Sequence, residues 1–210
     1  SLLAPSYLRQ RAALIGARSM RTAAPGQPTP MQAARLAPQP AQPEHGTSHI
    51  SIVDAQGNAL AMTTTIEDAF GARQMVKGFL LNNELTDFSF VPTAANGQPI
   101  ANRVQPGKRP RSSMAPTLVF DQGSGQLVMS AGSPGGALII HYTAKTLHGV
   151  LHWGLLPQQA INLPNFGATG APTVLEEKRF PAATVEALKA RGHEVRVVDA
   201  MGPDRVADSD

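Results

Sequence analysis

The sequence predicts an α+β protein, and three observations carry that expectation. Two runs rich in β-branched and apolar residues, 50–53 and 59–65, flank Asp54-Ala55-Gln56-Gly57-Asn58, which has the composition of a hairpin turn. The runs 117–120 and 127–131 repeat that arrangement around Gln122-Gly123-Ser124-Gly125. Past its opening glycines, the stretch 135–152 has Gly149 as its only breaker and sets Leu138, Tyr142, Lys145 and Thr146 at helical spacing. Antiparallel strand pairs beside separate helices make a layered α+β fold.

The remaining elements follow in order. Residues 7–17 are rich in helix formers and carry Leu8, Ala12 and Ile15 near one face, so they predict a short helix. Residues 23–43 hold prolines at 25, 28, 30, 38, 40 and 43. Each lacks an amide donor and disfavours helix at its predecessor, which predicts a linker or exposed tail. Residues 156–161 predict a short helix, and 181–191 another, closed by Gly192 just past its C-cap. Residues 194–198 predict a last strand, and Trp153 and Phe166 are expected in the core.

Composition bounds the chemistry. The 210 residues suffice for one substantial domain. The net charge of +3 is modest, and the basic residues scatter except at Lys108-Arg109-Pro110-Arg111. Aromatics are few and do not interleave with the basic residues, which argues against nucleic acid as a partner. The absence of cysteine removes disulfides, thiolate metal sites and a Cys nucleophile. The six histidines show no metal-ligand spacing; His141, His148 and His152 share one helical region without a carboxylate partner and read as structural or interfacial. No metal site is expected. No apolar run approaches membrane-spanning length. The chain opens on Ser1 and is expected to begin inside a longer protein.

Four places could carry chemistry. In Glu44-His45-Gly46-Thr47-Ser48-His49, cleavage of the Gly46–Thr47 bond would set the Thr47 hydroxyl beside a new α-amine able to take its proton. The ordinary alternative is a Thr that opens a strand by β-propensity. Leu80-Leu81-Asn82-Asn83-Glu84-Leu85-Thr86-Asp87 offers acceptors that suit an ammonium group, or is a polar turn. The loop 106–114 carries Ser112 and Ser113 beside basic residues, which suits a carboxylate as well as it suits solvent. Ser130-Ala131-Gly132-Ser133-Pro134-Gly135-Gly136 joins a strand to a helix. Its bare amides can meet an anion or a developing oxyanion, and it lacks the Lys of a nucleotide-binding loop.

Taken in order, these segments resemble the small, catalytic subunit of gamma-glutamyltransferases, within the N-terminal-nucleophile hydrolase superfamily. The matching pieces are Thr47-Ser48-His49-Ile50-Ser51-Ile52-Val53-Asp54, Thr63-Thr64-Thr65-Ile66, Leu81-Asn82-Asn83-Glu84, Asp87-Phe88-Ser89, Pro106-Gly107-Lys108-Arg109-Pro110, Ser112-Ser113-Met114-Ala115-Pro116-Thr117 and Gly132-Ser133-Pro134-Gly135-Gly136. Gly57-Asn58 and Phe70-Gly71 add to them. The resemblance implies a four-layer α-β-β-α sandwich, partial here because the large subunit is mostly absent. Residues 1–46 would be the C-terminal tail of that subunit and 47–210 the small catalytic subunit.

The resemblance also implies roles. Thr47 is the nucleophile exposed by self-cleavage after Gly46, and Thr65 positions it. Glu84 and Asp87 hold the substrate α-ammonium, Ser112 and Ser113 its α-carboxylate, and Gly135 and Gly136 form the oxyanion hole. The implied reaction is hydrolysis or transfer of glutathione and other γ-glutamyl amides through a Thr47 acyl-enzyme, with no cofactor. The implied partners are the large subunit of the same precursor and a small-molecule substrate, in a periplasmic or extracellular location.

Three departures stand out. Glu67 occupies a substrate-binding position where glutathione-processing members carry Asn, and its charge disfavours an α-carboxylate. That opens the alternative of an acylase acting on glutaryl or cephalosporin-type amides; a further alternative is an uncleaved, non-catalytic member. Thr86 replaces an acidic residue. Met201-Gly202-Pro203 runs directly into Asp204-Arg205, where the family has a longer closing segment. The family's large subunit supplies an Arg to the site, so this chain alone is expected to be inactive.

Overall fold

The computed structural model describes residues 2–26, 36–42, 46–199 and 201. It is α+β, as the hairpins and helices of the sequence predict. Helix α1 spans Pro5–Ala12, earlier and shorter than the predicted 7–17. Pro5 presets the first turn without wasting a donor. Past Ala12 the amides of Leu14 and Ile15 bond three residues back, tightening the chain out of the helix.

Strands β1 (Ser48–Val53) and β2 (Ala59–Thr64) form the first hairpin. The strand begins two residues earlier than predicted, and β2 ends at Thr64. The Asp54 carboxylate closes the turn by accepting from the amides of Gln56 and Asn58 at 2.9 and 2.8 Å. A second, unforeseen hairpin pairs β3 (Met75–Val76) with β4 (Phe79–Leu80) around Lys77 and Gly78. Both turn residues have positive φ, +49° and +88°, as a tight mirror-image turn requires. β5 (Thr117–Phe120) and β6 (Leu127–Ala131) pair as predicted, with Asp121 bonding the turn amides of Gly123 and Ser124.

The predicted continuous helix over 135–152 is corrected at its start. Gly135 and Gly136 have φ of +130° and +51°, which an α-helix cannot accommodate. A 3₁₀ turn, Gly136–Leu138, leads instead into α2 (Ile139–Leu151). Helix α3 (Pro157–Ile161) and helix α4 (Ala182–Ala190) match their expected places within a residue at each end, apart from the Arg191 C-cap. Gly192, at φ +89°, follows that cap as foreseen.

The closing sheet departs from the all-antiparallel expectation. β7 (Phe166–Gly167) pairs antiparallel with β8 (Thr173–Glu176), and β8 pairs parallel with β9 (Val195–Val198). Helix α4 makes the crossover. β8 is almost wholly buried, as expected for a strand covered on both faces.

The core gathers Leu138, Tyr142, Val174 and Met201 against Val198, and Ile100, Ile139 and Leu175 are the largest fully buried side chains. Each such burial contributes about 1.5–3 kcal/mol. Trp153 and Phe166 are not core, contrary to expectation: they are 59% and 48% exposed. Each meets one aromatic ring edge-on, Trp153 against His148 and Phe166 against Phe180. β1 and β2 leave Ile50, Ile52, Val53, Leu60 and Met62 at 38–55% exposure, so this ribbon lacks a covering layer within the described residues.

The proline-rich stretch also needs correction where it is described. Residues 36–42 are a strap rather than a free tail. Ala37 is buried and bridges Ile100 in parallel, donating to the Pro99 carbonyl and accepting from the Ala101 amide, both at 2.9 Å. The Gln42 amide donates to the carbonyls of Thr86 and Phe88 at 3.0 and 3.1 Å. Glu44, His45, the prolines at 28, 30 and 43, and the 202–210 departure lie outside the described residues.

Candidate active site

The β1–β2 register builds the centre of the site. Ser48 pairs with Thr64, so Thr47, one residue before β1, stands opposite Thr65, one residue after β2. The Thr65 hydroxyl donates to the Gly46 carbonyl oxygen at 2.6 Å. Thr65 Oγ1 also accepts from the Glu67 amide at 2.8 Å. In the uncut chain, Thr65 thus bonds the carbonyl of the expected scissile bond.

A small cavity of about 40 Å³ is lined by Thr47, Thr65, Glu67, Asp87, Arg111, Ser112, Ser113, Met114, Gly136 and Ile139. It collects residues from five separate segments of the chain, from Thr47 before β1 to Ile139 at the start of α2. Of the expected site residues, Gly46, Gly135 and Glu84 do not line its wall. Gly135 sits one residue behind Gly136, and Glu84 opens the 3₁₀ turn Glu84–Asp87 whose other end presents Asp87. Arg111 and Ile139 were not singled out from sequence; only the basic character of the 106–114 loop pointed toward Arg111.

Glu67 is 93% buried in effect, with 7% of its surface exposed, and its backbone takes φ +72°. Its carboxylate accepts from the Asn83 side-chain amide. Asn83 in turn holds the next backbone turn by accepting from the Asp68 amide at 3.0 Å. Glu67 therefore joins Glu84 and Asp87 in one acidic group. Burial first, then the charge of Asp87, a hydrogen bond with it and the charge of Glu67, push the Glu84 carboxyl up to about 7. Burial and the Glu67 charge also raise Asp87, despite a hydrogen bond from Glu84 that opposes them. Arg111 stands 3.9 Å from Asp87, at the outer limit of an ion pair. The Asn102 amide bonds the Asp87 carbonyl at 2.6 Å, and its oxygen accepts from the Arg111 amide at 3.1 Å, so one side chain fixes both.

Three clustered carboxylates favour an incoming cation once ionised. The KM for a substrate with an α-ammonium is expected to fall as pH rises through about 7, where Glu84 loses its proton. Folding linkage has the opposite sense. The folded carboxyl binds its proton more tightly than an ordinary glutamate, which titrates near 4.5, so its contribution to stability is full below about 4.5 and fades as pH rises through about 7. KM and melting temperature measured across pH, with Glu84→Gln flattening both trends, check this.

Ser112 and Ser113 reach the cavity from the loop before β5, and the Ser112 hydroxyl accepts from the Met114 amide at 3.2 Å. The described residues contain no cluster of three His, Cys, Asp or Glu side chains arranged to hold a metal ion. No helix among them is long and apolar enough to cross a membrane. The Thr47 strand end, the Thr65 hydroxyl, a glycine turn and acidic side chains thus share one cavity.

Residues 1–206 match the gamma-glutamyltranspeptidase family. The chain belongs to that family. The glutathione hydrolase proenzyme of Escherichia coli K12 is 40% identical over 163 residues, covering 74% of this chain and 28% of the relative. Among solved structures, a mutant gamma-glutamyltranspeptidase of Helicobacter pylori superposes with TM-score 0.64 at 31% identity, covering 73% of this chain and 86% of that one. The cephalosporin acylase of Bacillus halodurans superposes with TM-score 0.74 at 25% identity, covering 96% of this chain and 33% of that one. The chain thus spans about a third of the length of the curated relatives it matches.

Proposed function

We propose that this chain is the C-terminal part of a self-cleaving precursor that becomes an N-terminal Thr γ-glutamyl hydrolase and transferase. Residues 1–46 would end its large subunit and 47–210 form its small one, the two completing a four-layer sandwich. The exposed apolar residues of β1 and β2 support a missing layer. The observation that carries the reading is the Thr65 hydroxyl on the Gly46 carbonyl.

In the precursor, the Thr47 hydroxyl attacks the Gly46 carbonyl carbon. The carbonyl oxygen gains charge that the Thr65 hydroxyl stabilises. The C–N bond breaks, the Thr47 nitrogen takes the proton that the hydroxyl gave up, and an ester links Gly46 to Thr47 Oγ1. Water then hydrolyses it to a Gly46 carboxylate and a free Thr47. In the mature enzyme the Thr47 amine takes the hydroxyl proton during attack on a γ-glutamyl carbonyl, and the proton passes to the leaving amine. Water or an acceptor amine resolves the acyl-enzyme. Asp87, Glu84 and Glu67 supply the cation site, Ser112 and Ser113 donate to the α-carboxylate, and Gly135 and Gly136 donate to the oxyanion.

A second reading is an acylase acting on a glutaryl group, which keeps the terminal carboxylate of a γ-glutamyl group and lacks its α-ammonium; the replacement of Asn by Glu67 at the cavity wall prompts it. The likeness to a cephalosporin acylase over 96% of the chain supports it. Full-length precursor assayed on γ-glutamyl and glutaryl anilides separates the two. A γ-glutamyl preference is expected because the acidic group meets an α-ammonium that glutaryl lacks, and Glu67→Asn should lower it about tenfold by removing one of those charges. A glutaryl preference in the wild-type protein would establish the acylase.

A further inference from the structure

The three chemical parts of the candidate site sit at one end of three strands. Thr47 precedes β1, Thr65 follows β2, and residues 132–136 follow β6. A run of side chains crosses the strands there. His49 Nδ1 lies 2.9 Å from Thr63 Oγ1, and His49 Nε2 lies 3.1 Å from Ser51 Oγ. The Ser130 hydroxyl donates to Ser51 Oγ at 3.0 Å, which carries the run into β6. A neutral imidazole has one N–H and one lone pair and can serve both contacts. Burial lowers the His49 pKa and favours that neutral form.

The same ring carries the glycine loop. A Cβ at Gly132 would fall 2.2 Å from His49 Cε1 and 2.3 Å from Nδ1, so Gly132 rests directly on the imidazole. A Cβ at Gly135 would fall 2.5 Å from Tyr142 Cε2. Tyr142 is buried, and its hydroxyl has no partner among the described residues, so packing rather than hydrogen bonding sets its ring. His49, Gly132 and Tyr142 line a second cavity of about 430 Å³ whose wall includes neither Thr47 nor Gly136. The rings therefore bear on the loop from the side turned away from the nucleophile.

We infer that His49 is a positioning residue: seated between Thr63, Ser51 and Gly132, its ring sets the spacing between Thr47 and the amides of Gly135 and Gly136. The role rests on the reading of Thr47 as nucleophile and the glycine pair as oxyanion donors. Misplacing such donors by an ångström costs about 100-fold in rate.

The test uses full-length precursor and a γ-glutamyl anilide, with kcat counted per acyl-enzyme burst so that misfolded molecules do not contribute. His49→Asn keeps one hydrogen bond toward Thr63 and removes the ring; kcat should fall about tenfold with KM within about twofold. Gly132 lacks positive φ, so Ala there is opposed by the His49 ring rather than by its own backbone. Gly132→Ala should lower kcat on the order of 100-fold, and adding His49→Asn should recover about tenfold of that loss by making room. Unchanged kcat in His49→Asn, or a double variant no better than Gly132→Ala, overturns the positioning role while wild-type turnover leaves the Thr47 reading standing. Wild-type protein that neither cleaves nor turns over overturns the Thr47 reading and this role with it.

Discussion

Replacing Thr47 with Ala is expected to leave the full-length precursor as a single uncut polypeptide without turnover. Under the proposed mechanism both losses have one cause, the same hydroxyl attacking the Gly46 carbonyl once and the substrate carbonyl thereafter. Loss of a nucleophile that works as a unit with its base typically removes on the order of 10⁴- to 10⁶-fold of rate. The fold should survive. Thr47 lies outside β1, whose ladder begins at Ser48, and no side-chain hydrogen bond of Thr47 supports the hairpin among the described residues. Melting temperature within a few degrees of wild type, together with an intact chain on a denaturing gel, is the expected pair of results. Cleavage that survives Thr47→Ala would remove Thr47 from the mechanism.

Thr65→Val should slow cleavage by about 100- to 1,000-fold, the usual cost of one oxyanion donor. Val matches Thr in shape and deletes only the hydroxyl, so the 2.6 Å bond to the Gly46 carbonyl is lost while packing is kept. The Glu67 amide also loses its acceptor, and Glu67 already holds an uncommon φ of +72°. Two displacements follow from one atom: the Gly46 carbonyl loses its donor and the acidic group loses an anchor. Thr65→Ser, which restores the hydroxyl, should recover most of the cleavage rate. The rate of precursor disappearance checks both variants, and wild-type cleavage in Thr65→Val would contradict the role.

Why some of this was legible in the sequence and some was not is a matter of distance along the chain. The Thr47–Thr65 pairing was within reach because one hairpin joins them and Asp54-Ala55-Gln56-Gly57-Asn58 announces its turn. The glycine loop was legible as a strand-to-helix turn, but the positive φ of Gly135 and Gly136 belongs to backbone geometry, and the helix was drawn four residues too long at its start. The parallel β8–β9 pair joins segments separated by a whole helix, and no local pattern states which strand a buried run will adopt. The strap shows the same gap: prolines declare which amides are missing, while the bonds of Ala37 and Gln42 go to residues 44–64 positions away. Trp153 fails for another reason. Size and apolarity predict burial on average, yet its ring lies at 59% exposure just past the end of α2, in an edge contact with His148. Arg111 was hidden in a loop, where position is set by Asn102 rather than by periodicity.

The most direct measurement is the intact mass of wild-type full-length protein before and after reaction with a γ-glutamyl substrate analogue. The account predicts two polypeptides cut between Gly46 and Thr47, with the acyl mass on the smaller one at its N-terminal Thr. A single uncut chain that still turns over substrate, or an acyl group on any other residue, would contradict it.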